Sequence, residues 1–197
     1  RGSARFAQQK YAAAEEDFDD VLARFPNDAD TRLNRGLARL AMGRPHDAVS
    51  DFTVALDSDS TLVLAKRRRG QAYVLAGDFN AAVVDLDSLT KPRSADSIWR
   101  FIAAKRAHLP DAEANLKRMT NGIDPTLWPG ALVDGLEGQV TIEIVLREAA
   151  RDPAEAKARL TETQFVLGQL ALAAGDIDLA RNSFTAAIAS GSHDLIE

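Results

Sequence analysis

Histidine, acid and base are the first groups to weigh for chemistry. The three histidines, His46, His108 and His193, lie far apart in the chain. None has a carboxylate or a serine at a repeated spacing, so neither a metal site nor a nucleophilic triad is expected. Glu15, Glu16, Asp17, Asp19 and Asp20 crowd one short stretch. Acids at adjacent helical positions fan around the axis rather than converge, so they read as a solvated outer face, not an acid–base cluster. Lys66, Arg67, Arg68 and Arg69 form the sharpest basic run. Two readings of it stand side by side. One is capture of an acidic segment or a free carboxylate. The other is four cations leaving a helix in four directions, at most two toward any one face. The sequence has no cysteine, which removes disulfides, thiol catalysis and thiolate metal sites from it. No glycine-rich phosphate loop follows a strand. No cofactor and no catalytic residue are expected.

Composition excludes more. The chain has 197 residues, 46% of them hydrophobic and 27% charged, with a formal net charge of −5. That balance gives no general attraction to nucleic acid or to anionic lipid. No apolar run approaches a membrane span, and no signal peptide is legible.

The elements that position these residues recur. Gly2, Gly36 and Gly70 align at a spacing of 34 residues, as do Ala14, Ala48 and Ala82, and Phe18, Phe52 and Leu86. Around them the apolar residues keep helical spacing: Ala14, Phe18 and Val21 on one helix, Ala48, Phe52 and Ala55 on the next, then Ala82, Leu86 and Leu89. Gly43 and Gly77 end one helix of each pair, and Pro45 suits the first turn of another. A late copy carries Gly168, Gly175, Ala180, Phe184 and Ala187. Small residues that accept large ones from a neighbouring helix, repeated in phase every 34 residues, resemble the tetratricopeptide repeat. Ser60, Ser94 and Ser192 replace its closing proline, and Arg39 replaces an aromatic. The fold class expected is all-α: a helix-turn-helix solenoid, wound as a right-handed superhelix, with a degenerate central repeat and inserted helices. One continuous domain over 1–197 is expected, with repeats at about 1–28, 29–62 and 63–96, a degenerate repeat at 97–119, an inserted helical stretch at 120–160 and a last repeat at 161–194. Arg1 falls at the seventh position of a repeat, so further sequence is expected ahead of it.

In the irregular middle, 97–108 reads as a helix capped by Asp96 or Ser97. A shortened helix at 111–119 follows Pro110. Then come a turn-rich stretch to Trp128, a short helix from Pro129 to Leu136, and a helix capped by Thr141. Asp152 is expected to cap a helix opening at Pro153 that continues, bent or unbroken, into the last repeat. This order, with Ser97–Ala107, the Trp128-Pro129 segment and above all Glu162, Thr163, Phe165, Leu167 and Gly168, resembles the carboxy-terminal half of bacterial new-lipoprotein-I type repeat lipoproteins. The family continues with another helix where this sequence stops at Glu197. The resemblance implies outer-membrane attachment through a lipid anchor, a periplasmic location, homodimers and an adaptor role. Its clients would be a periplasmic protease and peptidoglycan hydrolases.

In such repeats the first helix of each pair lines a concave groove. The positions that point inward include Leu33, Asn34, Leu37, Arg67, Arg68, Gln71, Val74, Phe101 and Lys105. Apolar ledges beside amide and guanidinium groups suit an extended peptide. Asn34 and Arg68 match places in the carboxylate clamp of co-chaperone repeats. Ser3 and Leu64 stand where that clamp needs asparagine and lysine, so a chaperone-tail clamp is not expected. Trp99 reads as core, beside Phe101 and Ile102. Trp128 reads as a plug in an irregular stretch, with an interface anchor as the other reading. The function expected is a non-enzymatic scaffold that binds proteins or peptides. The alternative is a repeat module of a larger cytoplasmic protein, such as a glycosyltransferase that carries these repeats ahead of its catalytic domain.

Overall fold

The computed structural model describes residues 1–90, 92–124 and 126–190. Ser192 and His193 lie outside the described residues. Among those described, all regular structure is α-helical, and the chain divides into two compact units, Arg1–Lys91 and Pro92–Glu197.

The first unit holds α1 (Gly2–Ala7), α2 (Tyr11–Leu22), α3 (Ala29–Ala41), α4 (Pro45–Ser58), α5 (Val63–Ala76) and α6 (Phe79–Asp87), each packed on the next. Its interior is built on a small residue facing a large one. A Cβ added at Gly36 would lie 2.5 Å from Phe52, and one at Gly2 would lie 2.6 Å from Phe18. Gly36 therefore offsets its helix-propensity cost of about 1 kcal/mol by close approach of the ring. The first helix of each pair ends on a residue in the left-handed region. Gly43 and Gly77 take this role at φ +71° and +87°, and Gln9 takes it at +59°. At each, the following N–H closes the turn, as Arg44 N–H does on Arg39 C=O at 2.9 Å. One expected core position moves. The buried face of α2 is Ala14, Phe18 and Leu22, whereas Val21 is exposed. Val21 lines an open cleft with Gly2, Phe25 and Asn34.

The second unit holds α7 (Ser94–Arg106), α8 (Ala112–Thr120), α9 (Gly130–Leu136), α10 (Ile142–Ala149), α11 (Ala156–Ala174) and α12 (Ile177–Ser190). α8 and α11 both pack on α7. α9 and α10 pair with each other, and α10 leans on α11. Two expected helix starts shift. α7 begins at Ser94, and Asp96 sits inside it, accepting the Arg93 N–H at 2.7 Å from the third helical position. Asp152 caps a preceding turn rather than the helix itself, accepting the Ala154 N–H at 3.0 Å. α11 then runs from Ala156 to Ala174, unbroken into the last repeat. In the turn after α7, His108 adopts φ +54° where the regular repeats place glycine, and the Leu109 N–H returns to Ala104 C=O at 2.9 Å.

Candidate interaction faces and the arginine–carboxylate lattice

The acid-rich helix α2 is not simply a solvated face. Asp17 is buried and held by Arg1 and Arg5, at 2.6 and 3.1 Å. Glu15 takes Arg39 on one oxygen and Arg44 on the other, each at 2.7 Å. Asp19, on the exposed side, accepts from Arg35 at 2.6 Å. Glu16, Asp19 and Asp20 are the exposed acids of this helix, and Asp20 lies 3.9 Å from Arg1. The expectation failed because the facing arginines come from other helices, α1 for Asp17 and the next repeat for Glu15 and Asp19, out of reach of a local helical-wheel argument. Burial pushes the Glu15 carboxyl up, but the hydrogen bonds from Arg39 and Arg44 outweigh it and hold the group below its ordinary range.

The same relation recurs one repeat on. Asp51 is 1% exposed and accepts from Arg32, Arg35 and Arg39. Asp85 accepts two bonds from Arg69, at 2.7 and 2.8 Å. The bond to Asp51 raises the Arg35 guanidinium further above its ordinary value, and the bond to Asp85 does the same for Arg69. A signal for this lattice was present in the sequence: Asp17, Asp51 and Asp85, like Arg1, Arg35 and Arg69, keep the repeat spacing.

The expected groove residues divide by burial. In the first unit, Leu33, Arg67, Gln71 and Val74 are buried, while Asn34, Leu37 and Arg68 are half-buried. Arg68 donates to the Gln71 side chain at 3.2 Å. Of the basic run, Arg69 is engaged with Asp85 and Arg67 is 7% exposed, so the run does not form an exposed four-cation patch. In the second unit, Phe101 is buried and Lys105 pairs with Glu113 at 2.8 Å. Lys105, His108 and Glu113, with Leu109, Leu170 and Ala173, line a cleft of about 370 Å³.

The two tryptophans belong to the second unit. Trp99 is buried, with its ring 5.3 Å from Phe165, which lies 6.2 Å from Phe184. The half-buried Trp128 donates its indole N–H to Glu162 at 2.9 Å, under the Arg159 guanidinium at 5.8 Å from the ring. Burial pushes the Glu162 carboxyl up, against the opposing hydrogen bond from Trp128. The stretch Glu162–Gly168 is thus where this unit is knit together. Thr163 is fully buried, Phe165 bridges two aromatic rings, and Gly168 admits Phe184. Among the described residues no group of three or more histidines or carboxylates is placed to hold a metal ion, and no helix is long and apolar enough to cross a membrane.

Helix pairs in phase, stacked through a glycine–aromatic contact and offering mixed polar and apolar first-helix faces, define a helical-repeat protein of the kind that serves as an interaction scaffold. The tetratricopeptide repeat family matches residues 1–62 and 33–98, and this half of the chain belongs to it. The crystal structure of MamA is similar in fold, at 16% identity and a TM-score of 0.59, over 96% of this chain and 94% of that one. The C-terminal part of a TPR repeat-containing protein from Cytophaga hutchinsonii aligns at 14% identity and a TM-score of 0.41, over 95% of this chain and 93% of that one.

Proposed function

We propose that this protein is a non-catalytic adaptor that holds extended segments of client proteins against its first-helix faces. The observation that carries the proposal is the half-buried set Asn34, Leu37 and Arg68, which offers amide, apolar and guanidinium groups on adjacent first helices, α3 and α5. An extended peptide needs those three, because its backbone presents hydrogen-bonding groups at every residue and its side chains alternate. The resemblance of Glu162–Gly168 and the Trp128 segment to new-lipoprotein-I type proteins supports a reading in which the adaptor works in the periplasm at the outer membrane, as a homodimer. Its clients in this reading are a processing protease and peptidoglycan hydrolases. The test is capture from envelope extract with the purified chain as bait, read by mass spectrometry. Recovery of a periplasmic protease or a peptidoglycan hydrolase is the expected result. Recovery of cytosolic proteins alone would overturn the periplasmic assignment.

A further inference from the structure

The stripe proposed to hold clients on α3 and α5 recurs on α11, within the second unit, and there it is filled. Positions on it are counted from the glycine that admits a large side chain of the paired helix: Gly36, Gly70 or Gly168. Two residues before that glycine stand Asn34, Arg68 and Val166, and one residue after it Leu37, Gln71 and Gln169. The residue six before it lies on the same helical face: Asp30, Leu64 and Glu162. Asp30 is exposed and Leu64 is 39% exposed. Glu162 is only half-buried, and the cover it has includes the chain's own Trp128, which donates its indole N–H at 2.9 Å.

Trp128 comes to this face from outside the repeat. It belongs to the loop ahead of α9, where its neighbour Leu127 is 64% exposed. The seat suits a flat ring with a donor on its edge. Glu162 takes the N–H, and Arg159, one turn earlier on α11, stands over the ring at 5.8 Å. The seat also gives its occupant up readily. Burial works against a charge on Glu162, so the carboxylate gains hydration when the ring leaves. Trp128 precedes α9 rather than lying in it, so it can leave without unwinding that helix.

Resting on the adaptor reading, we propose that Trp128 is a built-in occupant of a client subsite on the first-helix face of α11. When the loop withdraws, the subsite takes a tryptophan of an extended client segment in its place. Loop and client compete for the same two groups, the Glu162 carboxyl and the Arg159 guanidinium.

The probe is a fluorescein-labelled peptide of residues 124–131, which carries the tryptophan in its own sequence context. Its anisotropy is read against the parent chain and against Trp128→Ala. The peptide is expected to bind Trp128→Ala at least about tenfold more tightly than the parent, where the tethered loop competes at high effective concentration. In the Trp128→Ala background, Glu162→Leu is expected to weaken the peptide about tenfold, whereas Glu162→Gln keeps the acceptor and retains binding. A peptide with Phe in place of Trp lacks the donor and is expected to lose as much as Glu162→Leu does. Trp128→Ala is expected to keep the far-UV circular dichroism spectrum and the amide-exchange protection of α11. Loss of either makes Trp128 a core residue and overturns the proposal. So do equal binding to parent and variant, no binding to the variant, or binding indifferent to Glu162→Leu. Failure to recover any client from envelope extract counts against the adaptor reading alone, because the peptide titration needs no client and decides the subsite by itself.

Discussion

Arg35 grips Asp51 through two parallel hydrogen bonds, Nε to Oδ2 at 2.9 Å and a terminal nitrogen to Oδ1 at 2.6 Å, with the carboxylate shut away from solvent. The pair joins the two helices of one repeat, and the second terminal nitrogen of Arg35 reaches back to Asp19 of the repeat before. One planar guanidinium thus fixes a helix against two neighbours, which a lysine has no geometry to do. Ion pairs take up positions in the repeat interior that apolar side chains would otherwise fill.

Burying charge has a consequence that separates a single substitution from a double one. Asp85→Leu leaves Arg69 partly buried without its carboxylate and is expected to cost about 3–5 kcal/mol. Asp85→Leu combined with Arg69→Leu removes both charges and is expected to restore most of that loss. Urea unfolding of the two variants and the parent decides it, and equal losses for the single and double variants would contradict the argument.

Acid should weaken the junction between α2 and α3. The Glu15 carboxyl is held below its ordinary value of 4.5 in the folded chain. A depressed acid contributes stability that is present above the unfolded value and is lost as pH falls through the folded one. Urea midpoints are therefore expected to decline from about pH 5 downward, and Glu15→Gln is expected to flatten part of that decline.

Glu162 has the opposite sign. Burial raises its folded value above 4.5, so its contribution is fully present below that pH and is lost as pH rises through the raised value. Glu162→Gln still accepts from the Trp128 indole but has no charge to bury. It is expected to unfold at higher urea than the parent at neutral pH, with no difference at pH 4. Trp128 fluorescence in a Trp99→Phe background reports the transition locally.

Gly36→Ala tests the stacking contact. The added methyl would stand 2.5 Å from the Phe52 ring, which is fully buried and has no room to withdraw. Overpacking of this kind is expected to cost about 1–3 kcal/mol in chemical denaturation. The matched change Gly168→Ala against Phe184 is expected to behave alike in the second unit.

Client capture should respond to Arg68 rather than Arg67. Arg68 is half-buried and Arg67 is buried, so Arg68→Glu is expected to weaken capture while leaving helicity intact. Arg67→Glu is expected to lower the thermal midpoint instead. Circular dichroism together with co-precipitation of the recovered client distinguishes the two.

By itself the sequence determined the helix pairs, their phase and most of their interior. Gly36 with Phe52 and Ala48 with Ala55 announce themselves, because close packing admits few combinations of small and large residues at a fixed period. Glycine at 43 and 77 announces the turns for a similar reason, since few other residues adopt a positive φ without strain. Only the tertiary structure decided which charges are buried and with whom. Asp51 meets arginines 12 to 19 residues away, and Trp128 meets Glu162 across 34. It also left Val21 exposed where its repeat counterpart Ala55 is buried, and drew Arg67 into the interior. Period and propensity are local properties of the chain, whereas burial and ion pairing depend on which neighbouring helix arrives and how far it reaches.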